Sequence, residues 1–353
     1  MGYWGQSTNL QDLHKVVAMS LVAKILILGI ALVHLCPAQK LAPPPEHELL
    51  FLNPAGHLVI QDQEPVYAIF RQDGEFKKKP RRLVIGAEAP RIAPDGTRIA
   101  YLCRGSSNAM ELCLCDINGK NERRIVTAKS GLSVLSVAWA PDGKRLAIAS
   151  DGKNKTGVYV IPESGPGEEK VSDAKAGEVS WSPDGRFVVY SARADGSDVR
   201  ISETAFFVAT ATSMWFERLG PRFRQVDLYM IDLETKATRR LTREANSNIH
   251  PAWSPDGNLL AFASNRTGRY GIYFFEADTG EVHPFVSAKQ WHALHPAWSK
   301  DGSTVVFEIV ETHEERIHIG MIGGTEQIMT MTLDGKRRVL GRGSNPQFIP
   351  KPQ

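Results

Sequence analysis

The chain has 353 residues, a formal net charge of +3, 42% hydrophobic residues and 23% charged residues. That composition supplies ample core material, and the interspersed charge signs exclude the broad basic footprint that nucleic acid binding requires. The one positive run of note, Lys77-Lys78-Lys79-Pro80-Arg81-Arg82, reads as a solvated loop between strands.

The first predicted element is a leader. Ile25 to Leu35 is an apolar stretch of 11 residues preceded by Lys24, and Cys36-Pro37-Ala38 places small residues at −3 and −1 of a cut after Ala38. Charged, apolar and small residues in that order are the pattern of a secretory signal. The run is shorter than the ~20 residues a bilayer span needs, so no stable membrane span is expected after cleavage. Met19 begins a compact signal by itself, which makes residues 1–18 either an extended n-region or a misassigned start. Acylation at Cys36 is the lesser alternative, because bulky Leu35 precedes it and Pro37 follows. Residues 39–47, with Ala42-Pro43-Pro44-Pro45, read as a short Pro-rich linker.

From residue 48 onward the dominant signal is a repeat. Trp139-Ala140-Pro141-Asp142-Gly143 matches Trp181-Ser182-Pro183-Asp184-Gly185 and Trp253-Ser254-Pro255-Asp256-Gly257. Trp298-Ser299-Lys300-Asp301-Gly302 loses only the proline, and Ile92-Ala93-Pro94-Asp95-Gly96 only the aromatic ring. Phe51-Leu52-Asn53-Pro54-Ala55-Gly56 reads as a degenerate sixth copy. Positions 54, 94, 141, 183, 255 and 300 are then spaced by 40, 47, 42, 72 and 45 residues.

Each unit has one grammar. Pro-Asp-Gly is turn chemistry, with Asp142, Asp184 and Asp256 capping locally and Gly143, Gly185 and Gly257 following. A β-rich run comes next, such as Leu260-Ala261-Phe262-Ala263-Ser264, then a polar loop, a third run such as Ile272-Tyr273-Phe274-Phe275, a second turn and a short fourth run. Four short strands per ~40–45 residues is the spacing of a propeller blade. A lone blade cannot hide both faces, whereas blades stacked around an axis bury both. Trp139, Trp181, Trp253 and Trp298 recur in register with the turn and read as the rings that fill the wedge between neighbours, rather than as a ligand platform. Asn345-Pro346-Gln347-Phe348-Ile349-Pro350 resembles His250-Pro251-Ala252-Trp253-Ser254-Pro255 and supplies a seventh first-strand candidate. The expectation is an all-β fold over 48–353: a six-bladed β-propeller of four-stranded antiparallel blades, closed by the C-terminal strand. The sequence leaves open whether the N-terminal or the C-terminal candidate takes the first-strand place.

Pro-x-Trp-Ser-Pro-Asp-Gly, then Leu-Ala-Phe-x-Ser, then Ile-Tyr, then Arg-x-Leu-Thr resembles the propeller repeat of the TolB-like family over roughly 48–353. Similar repeats occur in the propellers of prolyl-oligopeptidase-type peptidases. The resemblance implies the propeller part alone, without the N-terminal α/β domain of TolB. The Gly-x-Ser-x-Gly elbow that peptidase relatives need is not found in the sequence.

Candidate sites follow from departures in the repeat. The long fourth unit places Phe206, Phe207, Trp215, Phe216, Arg218, Arg222 and Arg224 between Ala192 and Val226. Long loops on rigid scaffolds often carry function, and aromatics with Arg suit an interface, so this insertion is the expected partner site. The alternative is an insertion that buries its own aromatics. The Glu311–Glu326 loop, with His313 and His318, reads as an exposed charged loop. His250 and His295 precede Pro251 and Pro296 in adjacent units and, with His292, are the weak metal candidates; a structural hydrogen-bonding role is the favoured reading. Cys103 is expected either to bridge Cys113 or Cys115, or to be one of three small buried hydrophobes. The expected function is an exported, non-catalytic binding or scaffold propeller, periplasmic or secreted, recognising a protein or envelope component, with no cofactor. The alternative is a metal-assisted polysaccharide lyase or hydrolase acting at the channel mouth.

Overall fold

In a computed structural model of the chain, the described residues are 48–350 apart from 55–59, 62–63, 66, 73–78, 106–108, 195, 197–225, 244–246, 288–290 and 312–325. The leader and linker expected at 1–47, and the seven candidate residues of the 197–225 segment, lie outside them.

The described strands form six antiparallel four-stranded sheets and one two-stranded ribbon, Ile60–Gln61 with Glu64–Pro65. Blades 2 to 6 each use four strands consecutive in the chain, with the innermost at Ala87–Ile92, Val134–Trp139, Ala176–Trp181, Asn248–Trp253 and Trp291–Trp298. Blade 1 is composite. Its innermost strand is Ser344–Ile349, followed outward by Glu48–Pro54, Tyr67–Gln72 and Arg81–Ile85. Leu49 pairs with Phe348 and Glu48 with Ile349, so the C-terminal strand closes the ring.

This arrangement corrects one expectation. Pro54 is not a turn proline of the repeat: Glu48–Pro54 is a second strand that ends on the face opposite the Pro-Asp-Gly turns. The 40-residue spacing from Pro54 was coincidental. The equivalent of the turn proline in blade 1 is Pro350. A Cβ on Gly96 of blade 2 would lie 2.3 Å from the Pro350 carbonyl oxygen and 3.3 Å from its Cγ, as one on Gly257 would meet Pro183 Cγ at 3.2 Å.

Strand periodicity explains why the blades stack. Successive side chains point to opposite faces. Along Arg98–Arg104, Ile99, Tyr101 and Cys103 pack toward blade 1, and Ala100 and Leu102 toward blade 3. Six apolar clusters result, one for each neighbouring pair of blades. The last of them joins Val306 and Ile328 of blade 6 to Leu49, Phe51 and Phe348 of blade 1. Each such Leu, Ile, Val or Phe contributes roughly 1.5–3 kcal/mol on burial, so every blade depends on both neighbours. Among the described residues the one helical turn is Ala128–Ser130, and no helix is long and apolar enough to cross a membrane.

Cys103 and Cys113 are joined in a disulfide between the second and third strands of blade 2, and Cys115 is a buried free thiol. Burial pushes the Cys115 pKa up to about 12, so the thiol is an inert packing group.

Candidate functional site

The Pro-Asp-Gly turns gather on one face of the ring. In each, the glycine N–H donates back to the residue before the proline: Gly143 to Ala140 O at 2.9 Å, Gly185 to Ser182 O at 3.0 Å and Gly257 to Ser254 O at 3.0 Å. These glycines take φ of +64°, +77° and +76°, a region that costs other residues ~1–2 kcal/mol. The Asp carboxylates accept the backbone N–H groups of the next strand, Asp142 from Lys144 at 2.8 Å and Asp184 from Arg186 at 3.0 Å. Hydrogen bonds from Ser254 and Asn258 hold the Asp256 carboxyl below the usual range.

The four tryptophans end their innermost strands one step before these turns. Trp139 and Trp181 are buried, and Trp253 and Trp298 half-buried. Trp139 Nε1 donates to Arg91 O of blade 2 at 3.0 Å, and Trp298 Nε1 to Ala252 O of blade 5 at 3.0 Å, so each ring reaches the preceding blade. Arg98 lies 5.1 Å over Trp139, and Arg145 lies 5.1 Å over Trp181.

Around the residue three before each of these aromatic positions, five of the six innermost strands slip register against their neighbours, and blade 3 slips one residue earlier, between Val134 and Ser136. Ala89, His250, His295 and Asn345 occupy this place with φ of +45°, +54°, +49° and +46°, and each is followed by proline. Proline cannot donate to the sheet ladder, and a bulge is where a strand accommodates it and re-aims a side chain. Ser136 and Glu178 stand at the same distance from the aromatic position in blades 3 and 4, without the positive φ.

These bulges line up as a polar layer around the axis. His250 and His295 stack with ring centroids 3.7 Å apart. The His295 N–H donates to His250 Nδ1 at 3.4 Å, and His250 Nε2 lies 3.6 Å from Glu178 Oε1. His295 Nδ1 meets Glu308 Oε2 at 2.9 Å, and the same oxygen accepts the Asn345 N–H at 3.2 Å. Arg91 Nη1 donates to Asn345 Oδ1 at 2.9 Å. Burial, with His295 and Arg91 nearby, holds the His250 pKa well below 6.5, so the ring is neutral. Ser136 Oγ, Glu308 Oε1 and Asn345 Nδ2 are buried and have no hydrogen-bond partner among the described residues.

Between this layer and the turns lies a cavity of about 490 Å3, within the range of ligand pockets. Every blade contributes to its wall: Gln347, Arg91, Trp139, Glu178, His250 and His295 represent blades 1 to 6. An apolar collar of Pro94, Pro255, Pro350, Trp253, Trp298 and Phe348 surrounds it nearer the turns.

The three candidate imidazoles do not converge. His292 stands toward the other end of its strand, where Nδ1 accepts the Tyr270 N–H at 3.1 Å. Among the described residues, the group of three metal-ligating side chains whose atoms lie within 4.8 Å of one another is Glu276, Glu281 and His283, on the outside of blade 5. In blades 4 and 6 the second strands end at Arg193 and Glu311 and the third begin at Val226 and Glu326, on the face opposite the Pro-Asp-Gly turns. Sequence reasoning marked the histidines but missed Glu178, Ser136 and Asn345. Their shared distance from the aromatic position was a usable signal. Arg91 and Glu308 carried none beyond a charge in a β-rich run.

Comparison with known proteins agrees with this architecture. The TolB beta propeller domain matches residues 221–339, and the WD domain, G-beta repeat, matches residues 120–155. The chain is 37% identical over 81 residues to the Tol-Pal system protein TolB of Actinobacillus succinogenes, covering 23% of this chain and 18% of that one. It is 24% identical over 204 residues to the uncharacterized peptidase YuxL of Bacillus subtilis, covering 52% of this chain and 30% of that one. The chain thus spans well under two thirds of the length of these relatives. The crystal structure of TolB from Acinetobacter baumannii superposes with a TM-score of 0.61 at 18% identity, over 87% of this chain and 67% of that one, which speaks to the fold alone. With the repeat, the closed ring and the domain matched at residues 221–339 in agreement, this chain is similar to the TolB-like β-propeller repeat family.

Proposed function

We propose that the chain is an exported, non-catalytic binding propeller that seats a protein of the cell envelope at the axial cavity. One observation carries the reading. Three polar residues on left-handed backbone, His250, His295 and Asn345, line an apolar-collared cavity, and the buried Asn345 Nδ2 has no hydrogen-bond partner among the described residues. Strained backbone of this kind is retained where the surrounding fold over-determines it, and such places cluster at ligand clamps. The Cys103–Cys113 bridge and the signal-like N-terminus support a periplasmic or secreted location, since disulfides persist in oxidising compartments. The relatives named for the Tol-Pal system support a protein partner. The spread of His250, His292 and His295 gives the metal-assisted lyase reading no ligand set.

The test compares capture of envelope proteins by the exported chain, by Ala252→Arg and by a chain with residues 197–225 replaced with a short linker. Ala252 lines the cavity, so an Arg there fills it. Loss of one defined partner with Ala252→Arg and its retention on insertion removal is the expected result. The reverse pattern would move the site to the insertion and overturn the axial reading.

A further inference from the structure

The two sides of the axial cavity differ in hydrogen-bonding character. On the side of blades 1 and 2, Arg91 Nη1 donates to Asn345 Oδ1 and to the Pro90 carbonyl, each at 2.9 Å. A guanidinium has donors only, so it fixes the Asn345 amide with its oxygen toward Arg91. The amide nitrogen is left on the other side, buried and with no partner among the described residues, in a residue only 3% exposed. Beside it, Gln347 Oε1 accepts the Ile92 N–H at 3.2 Å, which leaves the Gln347 NH2 group as a donor in the cavity wall. Lys300, standing where other turns have proline, adds a further cation to the wall. Across the cavity the wall carries Glu178, whose oxygens face Ser191 and His250; it is the one carboxylate among the described lining residues.

We infer that the blade 1–blade 2 side is a carboxylate-binding subsite, where Arg91, Asn345 and Gln347 receive an Asp or Glu side chain presented by a protein partner. The inference rests on the axial reading above and names the chemistry of that site. Hydrogen bonds from cations to carboxylates are roughly twice as strong as neutral ones, and an acceptor with two oxygens suits donors from adjacent blades. The buried Asn345 N–H2 gains the acceptor it lacks. Glu178 sets the ligand class. An isolated acidic side chain on a peptide leaves Glu178 facing neutral groups or backbone N–H donors, whereas a regular polyanion such as an acidic oligosaccharide would bring a second carboxylate against it.

The test uses N-acetylglutamate N-methylamide and its glutamine counterpart, titrated into the full chain and followed by the indole N–H resonances of Trp139, Trp181, Trp253 and Trp298. The glutamate compound should shift them saturably and bind at least about tenfold more tightly than the glutamine compound. Asn345→Asp keeps the shape but puts an acceptor and a negative charge in place of the donor, and should weaken glutamate binding by at least about tenfold. Because Asn345 is buried, Gln347→Leu at a half-buried position is the second variant, with an expected loss of about threefold to tenfold. Equal affinity for the two compounds, or unchanged affinity in both variants, overturns the inference. Binding of trigalacturonate without any response to the glutamate compound overturns it as well and gives the cavity to an acidic sugar. Partner capture that still depends on the cavity, with no carboxylate preference, removes this subsite and leaves the axial reading standing.

Discussion

Replacing His292 with Asn should flatten the acid side of the stability curve. His292 lies in the innermost strand of blade 6, with Nδ1 accepting the Tyr270 N–H at 3.1 Å and its ring 5.9 Å from that of Tyr270. Burial, reinforced by Arg269, lowers its pKa from 6.5 to about 4. The unfolded chain, with the higher pKa, therefore binds more protons between these two values. Stability from neutral His292 is complete above about pH 6.5 and is lost as pH falls toward about 4. A difference of ~2.5 units at ~1.4 kcal/mol per unit gives ~3.5 kcal/mol, most of it already lost by about pH 4.5. Asn offers an oxygen near the place of Nδ1 and does not titrate, so the Tyr270 bond survives without the pH dependence. Urea unfolding of both proteins at about pH 7.5 and about pH 4.5 reads the effect. The wild type should lose ~2–3 kcal/mol more than His292→Asn over that interval. His250, whose pKa is also depressed, is present in both proteins and cancels. Equal losses would refute the reasoning.

The seam offers a matched pair. Gly96→Ala forces a Cβ to 2.3 Å from the Pro350 carbonyl at φ +74°, whereas Gly280→Ala meets nothing within 4 Å at the same φ. Calorimetry should show a cost of ~1–2 kcal/mol at Gly280 and at least ~2 kcal/mol more at Gly96. Cys103→Ser opens a disulfide with a sequence separation of 10, and should cost about 3 kcal/mol of unfolding free energy by denaturant titration, reproduced in the wild type by reductant. Asp227 is fully buried and accepts from Arg240, Thr242 and Asn248, so Asp227→Leu should cost roughly 3–5 kcal/mol by urea titration while Asp334→Leu, on an exposed turn, stays within about 0.5 kcal/mol.

The ring was legible because its grammar is local. Trp-Ser-Pro-Asp-Gly states a turn and a wedge-filling ring in five residues, and alternating apolar positions state that both faces of a blade are covered. The misreading came where that grammar thins. Asn53-Pro54 looks like a turn, but it closes a second strand, because its true counterpart is Ile349-Pro350 at the far end of the chain. The candidate site was only half legible. His250 and His295 announced themselves as His-Pro pairs, while Glu178 sits before Val179 and Ser136 before Val137, without the proline that marks the bulge. Arg91 and Glu308 join the layer through three-dimensional neighbours far apart in sequence, and no spacing rule reaches across 254 residues to pair Arg91 with Asn345.

The seam in blade 1 also sets an order of events. Residues 344–349 are the last strand of the ring to leave the ribosome or an export channel, and they pair with residues 48–52. Until they arrive, the strand beginning at Glu48 has an open edge and the sixth blade lacks its far neighbour. Circularity is thus a late and long-range step, slow by the measure of sequence separation. A chain held unfolded during passage across a membrane would keep that edge from meeting others of its kind.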